Sequence, residues 1–233
     1  MRREARFCSG CGAYRNPPAD QRQRRAEGRS TWRRISRVLV LYFVLLGTLL
    51  PLLLLDEDDA VAGMIVVSWV DALLILAAVP WLRVGLRERL VPSLRSLRWS
   101  GIGLVGLAPL LVVNVLYHHA IVEAFGLEET RIADGWNGWS FAAIVFYVGV
   151  MPGVWEEIAF RGLIQGSLER AVRPPTAIAM TAVLFATIHC RLASAPILLL
   201  LGLFLGWLRH RSRSLYPGML VHFAHNLAVL LIE

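Results

Sequence analysis

The stretch Trp155-Glu156-Glu157-Ile158-Ala159-Phe160-Arg161 sets two carboxylates and a guanidinium directly after an apolar run that opens near Trp139. An ionisable side chain in a membrane helix is costly and is a functional candidate by default. What the stretch means therefore depends on whether its surroundings are soluble or lipid-bound. The chain of 233 residues is 56% hydrophobic and 18% charged, where a soluble domain has roughly 45–50% and about 25%. The apolar excess is gathered in blocks, and crossing a bilayer takes about 20 apolar residues per helix. Spans are predicted at about 38–55, 60–82 and 101–122, a fourth begins near Trp139, and shorter runs follow at about 176–189, 195–207 and 217–232. No strand is needed, because a helix satisfies its own backbone in lipid. The expected fold is all-α, a polytopic transmembrane helical bundle of about seven spans.

The formal net charge is +7, and every basic residue is arginine. Nucleic-acid binding is the reflex reading of such a bias. The arginines, however, fall mainly between the apolar blocks and before the first one, as in cytoplasmic loops. Nucleic acid is not expected as a partner, since the spans leave no domain for it; the lipid bilayer is. Loop charge alternates along the chain. It is acidic at Asp56, Glu57, Asp58 and Asp59, basic from Arg83 to Arg98, mostly acidic from Glu128 to Asp134, and basic at Arg170, Arg173, Arg209, Arg211 and Arg213. This order places the N-terminus in the cytoplasm and leaves Arg191 alone on the far side. The polar lead is too long for a cleavable signal peptide. The expected organisation is a flexible arginine-rich cytoplasmic tail over residues 1–35 and a membrane domain over 36–233, whose motif-bearing part is 139–233.

Three cysteines, Cys8, Cys11 and Cys190, make no disulfide framework. Cys8 and Cys11 have the spacing of a single zinc-ribbon knuckle, but no second pair follows. The pair is either half of a zinc site completed from elsewhere or two reduced thiols in the tail.

Several ionisable residues within apolar runs fall in the last third of the chain. Glu157 and Arg161 are four apart and can pair along one helix face. Adjacent helical residues point about 100° apart, so Glu156 is left without that partner. The Arg173-Pro174-Pro175 break is expected to reverse the chain. Glu156 and His189 then lie at similar distances, roughly 22–26 Å, on either side of the turn and can face each other across a helical hairpin. His222 and Asn226 are four apart and stack on one face, with His225 partly sharing it. Stacked polar side chains of this kind either form a site or act as interhelical glue. Asp71 also lies mid-span, where it either hydrogen-bonds within the bundle or lines a water cavity.

Glu156-Glu157-x-x-x-Arg161, Phe185-x-x-x-His189 and His222-x-x-x-Asn226, in that order, resemble the signature of the CPBP family, also called Abi or type II CAAX-protease-like. The resemblance spans about Trp139 to the C-terminus and implies an intramembrane endopeptidase of the glutamate-dependent type. It implies that Glu156 is the general base on a water, helped by His189. His222 and Asn226 would stabilise the oxyanion, and Glu157 and Arg161 would support the first helix. Peptide hydrolysis needs an activated water and donors aimed at the developing oxyanion, which this set contains. Metal assistance is the alternative, with Glu156, His189 and His222 as a zinc set. The His-Glu-x-x-His helix of soluble zinc proteases is missing, so no required cofactor is expected and zinc remains the second option.

The expected partners are lipid and a membrane-associated peptide or protein substrate, and the expected location is the plasma membrane of a bacterium. The rival readings are a non-catalytic membrane immunity or scaffold protein with the same fold, and a proton-coupled transporter. The sequence selects neither a substrate nor an oligomeric state.

Overall fold

Helix ends in this chain are set by local chemistry. Ser93 is extended, and its hydroxyl accepts from Ser96 N while Ser96 Oγ accepts from Ser93 N, a reciprocal cap that starts a helix at Leu94. The same helix stops at Gly126, whose φ of 59° is the left-handed conformation that glycine adopts without cost. Pro174 and Pro175 occupy the first turn of another helix, where a missing N–H leaves nothing unsatisfied.

The structure, a computed structural model, describes residues 19–82, 84–86, 89–126 and 135–232. The predicted cysteine pair Cys8 and Cys11 lies outside the described residues. Among them the chain is all helix, without a strand, and forms the polytopic bundle that hydropathy predicts. Its helices are α1 (Ala19–Gly47), α2 (Glu57–Leu82), α3 (Leu94–Phe125), α4 (Phe141–Leu168), α5 (Pro174–Ile188), α6 (Ala195–Ser212) and α7 (Tyr216–Ile232). Four helices are long and apolar enough to cross a membrane, and α5 and α7 are shorter apolar helices.

Several helix boundaries differ from the sequence expectation. α1 extends back to Ala19, into the stretch 1–35 expected as a flexible tail. Gln, Arg, Ala and Glu are good helix formers, and Gln23 Nε2 donates to Glu27 Oε1 one turn on at 3.0 Å. α3 starts at Leu94, ahead of the expected 101, because Ser93 caps it there.

The core is built around the second half of α4. Phe160, Leu163, Ile164 and Leu168 are buried against Phe185 of α5, Leu201, Leu205 and Leu208 of α6, and Val221 of α7. Glycines allow the close crossings: a Cβ at Gly202 would come 3.0 Å from the Ala182 backbone, and one at Gly103 would run into Val221 and Leu208. Large apolar residues such as Leu73, Val105 and Leu116 stay exposed on the outer faces. An apolar surface of this extent is what a lipid-embedded bundle presents.

The arginine-rich end is tied together just beyond α4. Glu169 accepts from Gln165 Nε2 at 3.0 Å and pairs with Arg209 and His210. Arg34 donates to Arg170 O, and Arg170 donates to Leu82 O. Burial alone would raise the Glu169 carboxyl, but the hydrogen bond and charge of Arg209, with Gln165 and His210, outweigh it and hold it below the usual carboxylate range. The unfolded chain therefore binds this proton more readily than the folded one. Stability from Glu169 is present above about pH 4.3 and is lost as pH falls through the lower folded value. Acid unfolding in micelles should show this limb in the parent chain, and Glu169→Gln should flatten it.

Candidate active site in α4, α5 and α7

α4 is not wound evenly. Val145–Val150 and Glu157–Ile164 are π-helical, with Met151–Glu156 as α-helix between them. Met151 N–H reaches back to Phe146 O, and Gln165 N–H to Phe160 O. Pro152 has no N–H to offer the carbonyl of Val148, one turn before it. That carbonyl instead accepts from Asn226 Nδ2 of α7 at 3.0 Å. π-turns inside α-helices are frequent at functional sites, and here they flank Glu156 and Glu157.

Small residues bring α7 onto this segment. A Cβ on Gly153 would lie 3.3 Å from both Met219 O and Phe223 N, so α4 and α7 touch nearly backbone to backbone. Gly218 leaves room for a side chain of α4, since a Cβ there would sit 2.5 Å from Glu157 Oε2.

Into that room Glu157 places its carboxylate. Oε1 lies 2.7 Å from Arg161 Nη1, and both side chains are 0% exposed. The same oxygen lies 3.2 Å from His222 Nδ1. An ionised carboxylate only accepts, so Nδ1 is the protonated ring nitrogen. The Arg161 guanidinium lies over the Phe185 ring, 4.2 Å from its centroid. Phe185 meets Phe160, His189 and His222 edge-on at 5.3, 4.9 and 5.7 Å. One aromatic ring thus packs against both histidines and the buried cation.

His189 ends α5, and its Nδ1 donates to Phe185 O at 2.7 Å. Nε2 then turns to Glu156, 3.9 Å from Oε2. That oxygen is shielded and accepts no hydrogen bond from the described residues. The Glu156 and His189 side chains are 31% and 27% exposed, while His222 is 3% exposed. The first pair is open to an approaching reactant; the second lies beneath it. Asn226 is oriented from both ends, as His225 Nδ1 donates to its Oδ1 at 3.2 Å and its Nδ2 donates to Val148 O. One amide hydrogen of Asn226 remains for another acceptor.

The structure places the predicted catalytic and supporting residues on three helices: Glu156, Glu157 and Arg161 on α4, His189 at the end of α5, and His222 and Asn226 on α7. Sequence reasoning gave Glu157 only its Arg161 partner and missed its bond to His222. It also missed His225 as the residue that orients Asn226. Gly218, one turn before His222, is the signal that was available: a missing side chain marks where another helix inserts one.

Among the described residues no three His, Cys, Asp or Glu side chains stand together as a metal-ligand group. Glu156, His189 and His222 are not such a group.

No curated protein and no solved structure matches the chain. Residues 138–228 match the family model described as Type II CAAX prenyl endopeptidase Rce1-like. The matched stretch runs from just before α4 into α7 and contains all three motifs. Residues 138–228 are therefore a Rce1-like type II CAAX prenyl endopeptidase domain, of the CPBP family to which the motifs point.

Proposed function

We propose that this chain is an intramembrane endopeptidase in which Glu156 and His189 activate a water and His222 and Asn226 serve the oxyanion and leaving group. The observation that carries the reading is the gap between Glu156 Oε2 and His189 Nε2. At 3.9 Å it is too long for a direct hydrogen bond, and because Oε2 is shielded a bridging water enters as the two partly exposed side chains part. With its Nδ1 proton given to Phe185 O, neutral His189 offers a lone pair at Nε2. A water donating to both groups turns its own lone pair outward, where 31% of Glu156 is open. As the water oxygen attacks a peptide carbonyl, Glu156 takes its proton.

The oxyanion then meets the free amide hydrogen of Asn226 and the His222 ring. His222 Nδ1–H is held by Glu157, so Nε2 donates only when the ring is doubly protonated. Counted with Glu156 and Glu157 ionised and Arg161 cationic, a protonated His222 brings the site to neutrality. When the C–N bond breaks, that Nε2 proton can pass to the leaving amine, and Glu156 returns its own proton to the ring. No step requires a metal. An equivalent of zinc in purified protein, with cleavage lost on chelation and restored by zinc, would overturn that part.

The substrate is a membrane-associated peptide or protein of the CAAX type. The arginine-rich end faces the cytoplasm with the N-terminus, in what we read as a bacterial plasma membrane. The test is cleavage of a membrane-anchored peptide by purified protein in detergent. Parent chain should cut, and His222→Ala and Glu156→Ala should not; equal rates in all three would dismiss the reading.

The proposal also predicts a purely steric variant. Gly218→Ala suits a helix better than glycine does, yet its Cβ must push Glu157 away from His222. A misplacement of about 1 Å can cost on the order of 10²-fold in rate, so a loss of roughly 10- to 100-fold is expected. Gly101→Ala, with nothing within 4 Å of its Cβ, is the control and should cleave at the parent rate.

A further inference from the structure

We propose that the notch at Gly166, at the arginine-rich end of the bundle, is a binding site for the phosphate oxyanion of an anionic lipid headgroup, held between Arg209 of α6 and Arg89. The sequence supplies the room. A Cβ on Gly166 would come 2.6 Å from Arg89 Nη1 and 3.4 Å from Arg209 Nη2, so the missing side chain lets two guanidiniums converge over α4. Arg209 is 3% exposed. Its Nη1 pairs with Glu169, while Nε and Nη2 have no hydrogen-bond partner among the described residues. Nε and Nη2 form one edge of the planar group, the fork that takes an oxyanion through two parallel bonds. Buried donors are normally satisfied, and a charged one left bare is costly. The Glu169 carboxylate is already shared among Gln165, Arg209 Nη1 and His210.

Arg89 brings the second cation. Its carbonyl accepts from Leu215 N at 3.1 Å and from Ser214 Oγ at 3.3 Å, which pins its backbone to the turn between α6 and α7. Its side chain is partly exposed, so an oxyanion reaches Arg209 from the Arg89 side. Like charges that converge away from water repel, and an anion between them replaces one repulsion with two attractions. The level of the notch names the source of the phosphate. Arg37 lies over the Trp81 ring and Arg211 over the Trp99 ring, each 5.8 Å from the centroid, and Trp99 meets Trp207 edge-on. Tryptophan and arginine gathered at one end of the spans mark the headgroup level of a bilayer. Arg34 and Arg37 donate to the carbonyls of Arg170 and Trp81, which are dipoles and leave the positive charge of this end in place. Basic pockets between membrane helices at this level take anionic headgroups. The site needs no turnover and does not rest on the reading of Glu156.

The experiment is thermal unfolding of the purified chain in detergent micelles, with added phosphatidylglycerol, phosphatidylcholine or inorganic phosphate at constant ionic strength. Phosphatidylglycerol should raise the unfolding midpoint saturably. Phosphatidylcholine, whose phosphate carries its own cation, should not. Arg89→Gln and Gly166→Ala should each weaken the apparent affinity for phosphatidylglycerol by about tenfold or more, the loss of one charge-assisted hydrogen bond. Alanine suits a helix better than glycine, and its Cβ chiefly displaces the flexible end of Arg89, so Gly166→Ala reads the site even if Arg89→Gln folds poorly. Arg211→Gln removes the same charge from the same end but away from the notch, and should keep the parent affinity. Protection by inorganic phosphate that Arg89→Gln abolishes, with none from lipid, would support the oxyanion site and make its occupant a soluble phosphate. No saturable protection from either source would overturn the proposal. So would equal losses in Arg89→Gln and Arg211→Gln, which mean diffuse attraction to a basic surface.

Discussion

Glu156→Gln is expected to lower kcat/KM for peptide cleavage by about 10²- to 10⁴-fold, the contribution typical of a positioned general base. Glutamine keeps the length and shape of the side chain but cannot accept a proton from the attacking water. The fold should hardly notice. Glu156 is 31% exposed and stands outside the buried Glu157–Arg161 pair, so the change in stability should stay within about 0.5 kcal/mol. Glu156→Asp retains the charge but draws the carboxylate back by about one bond length. The water shared with His189 is then held less closely by the carboxylate, and an intermediate rate is expected. Initial rates in micelles, with thermal unfolding of the same samples, separate chemistry from folding. Glu156→Gln at the parent rate would remove Glu156 from the chemistry, whatever the geometry.

Much of this arrangement is written in periodicity and cost. Seven apolar runs and the alternation of loop charge predict the bundle, because lipid leaves the backbone few other choices. The Pro174-Pro175 break predicts the hairpin that brings α4 and α5 together, since proline ends a helix by removing a donor. Glu157 and Arg161 are legible as a pair from their spacing alone. The details that tune the site are long-range and leave weaker marks. The bond from Glu157 to His222 depends on how near α7 approaches, and that is set by Gly153 and Gly218 acting together. The hold of Asn226 on Val148 follows from a carbonyl that Pro152 releases in a different helix. The polar, arginine-rich composition before residue 36 reads as a flexible tail, whereas Gln23, Glu27 and their neighbours continue α1 to Ala19.

The other large effect is expected at Glu157 and Arg161, where stability and activity should come apart. Both side chains are 0% exposed, and Arg161 has no charged partner besides the Glu157 contact and the nearby Glu156 among the described residues. Glu157→Gln leaves the guanidinium buried against Phe185 without its main countercharge, and breaking such a pair typically costs about 3–5 kcal/mol. Arg161→Met alone strands the carboxylate and should cost a similar amount. The double variant Glu157→Leu with Arg161→Met replaces both charges by apolar volume, which is often neutral or stabilising in a buried site. Its unfolding midpoint in detergent should return close to that of the parent. Cleavage should not return with it, because His222 Nδ1 has lost the acceptor 3.2 Å away that fixes its ring and its protonation. A double variant that is stable and cuts at the parent rate would mean that Glu157 serves only to neutralise Arg161. One that recovers stability while remaining at least about 10²-fold slower would assign the carboxylate to His222, since a mispositioned catalytic group costs on this order.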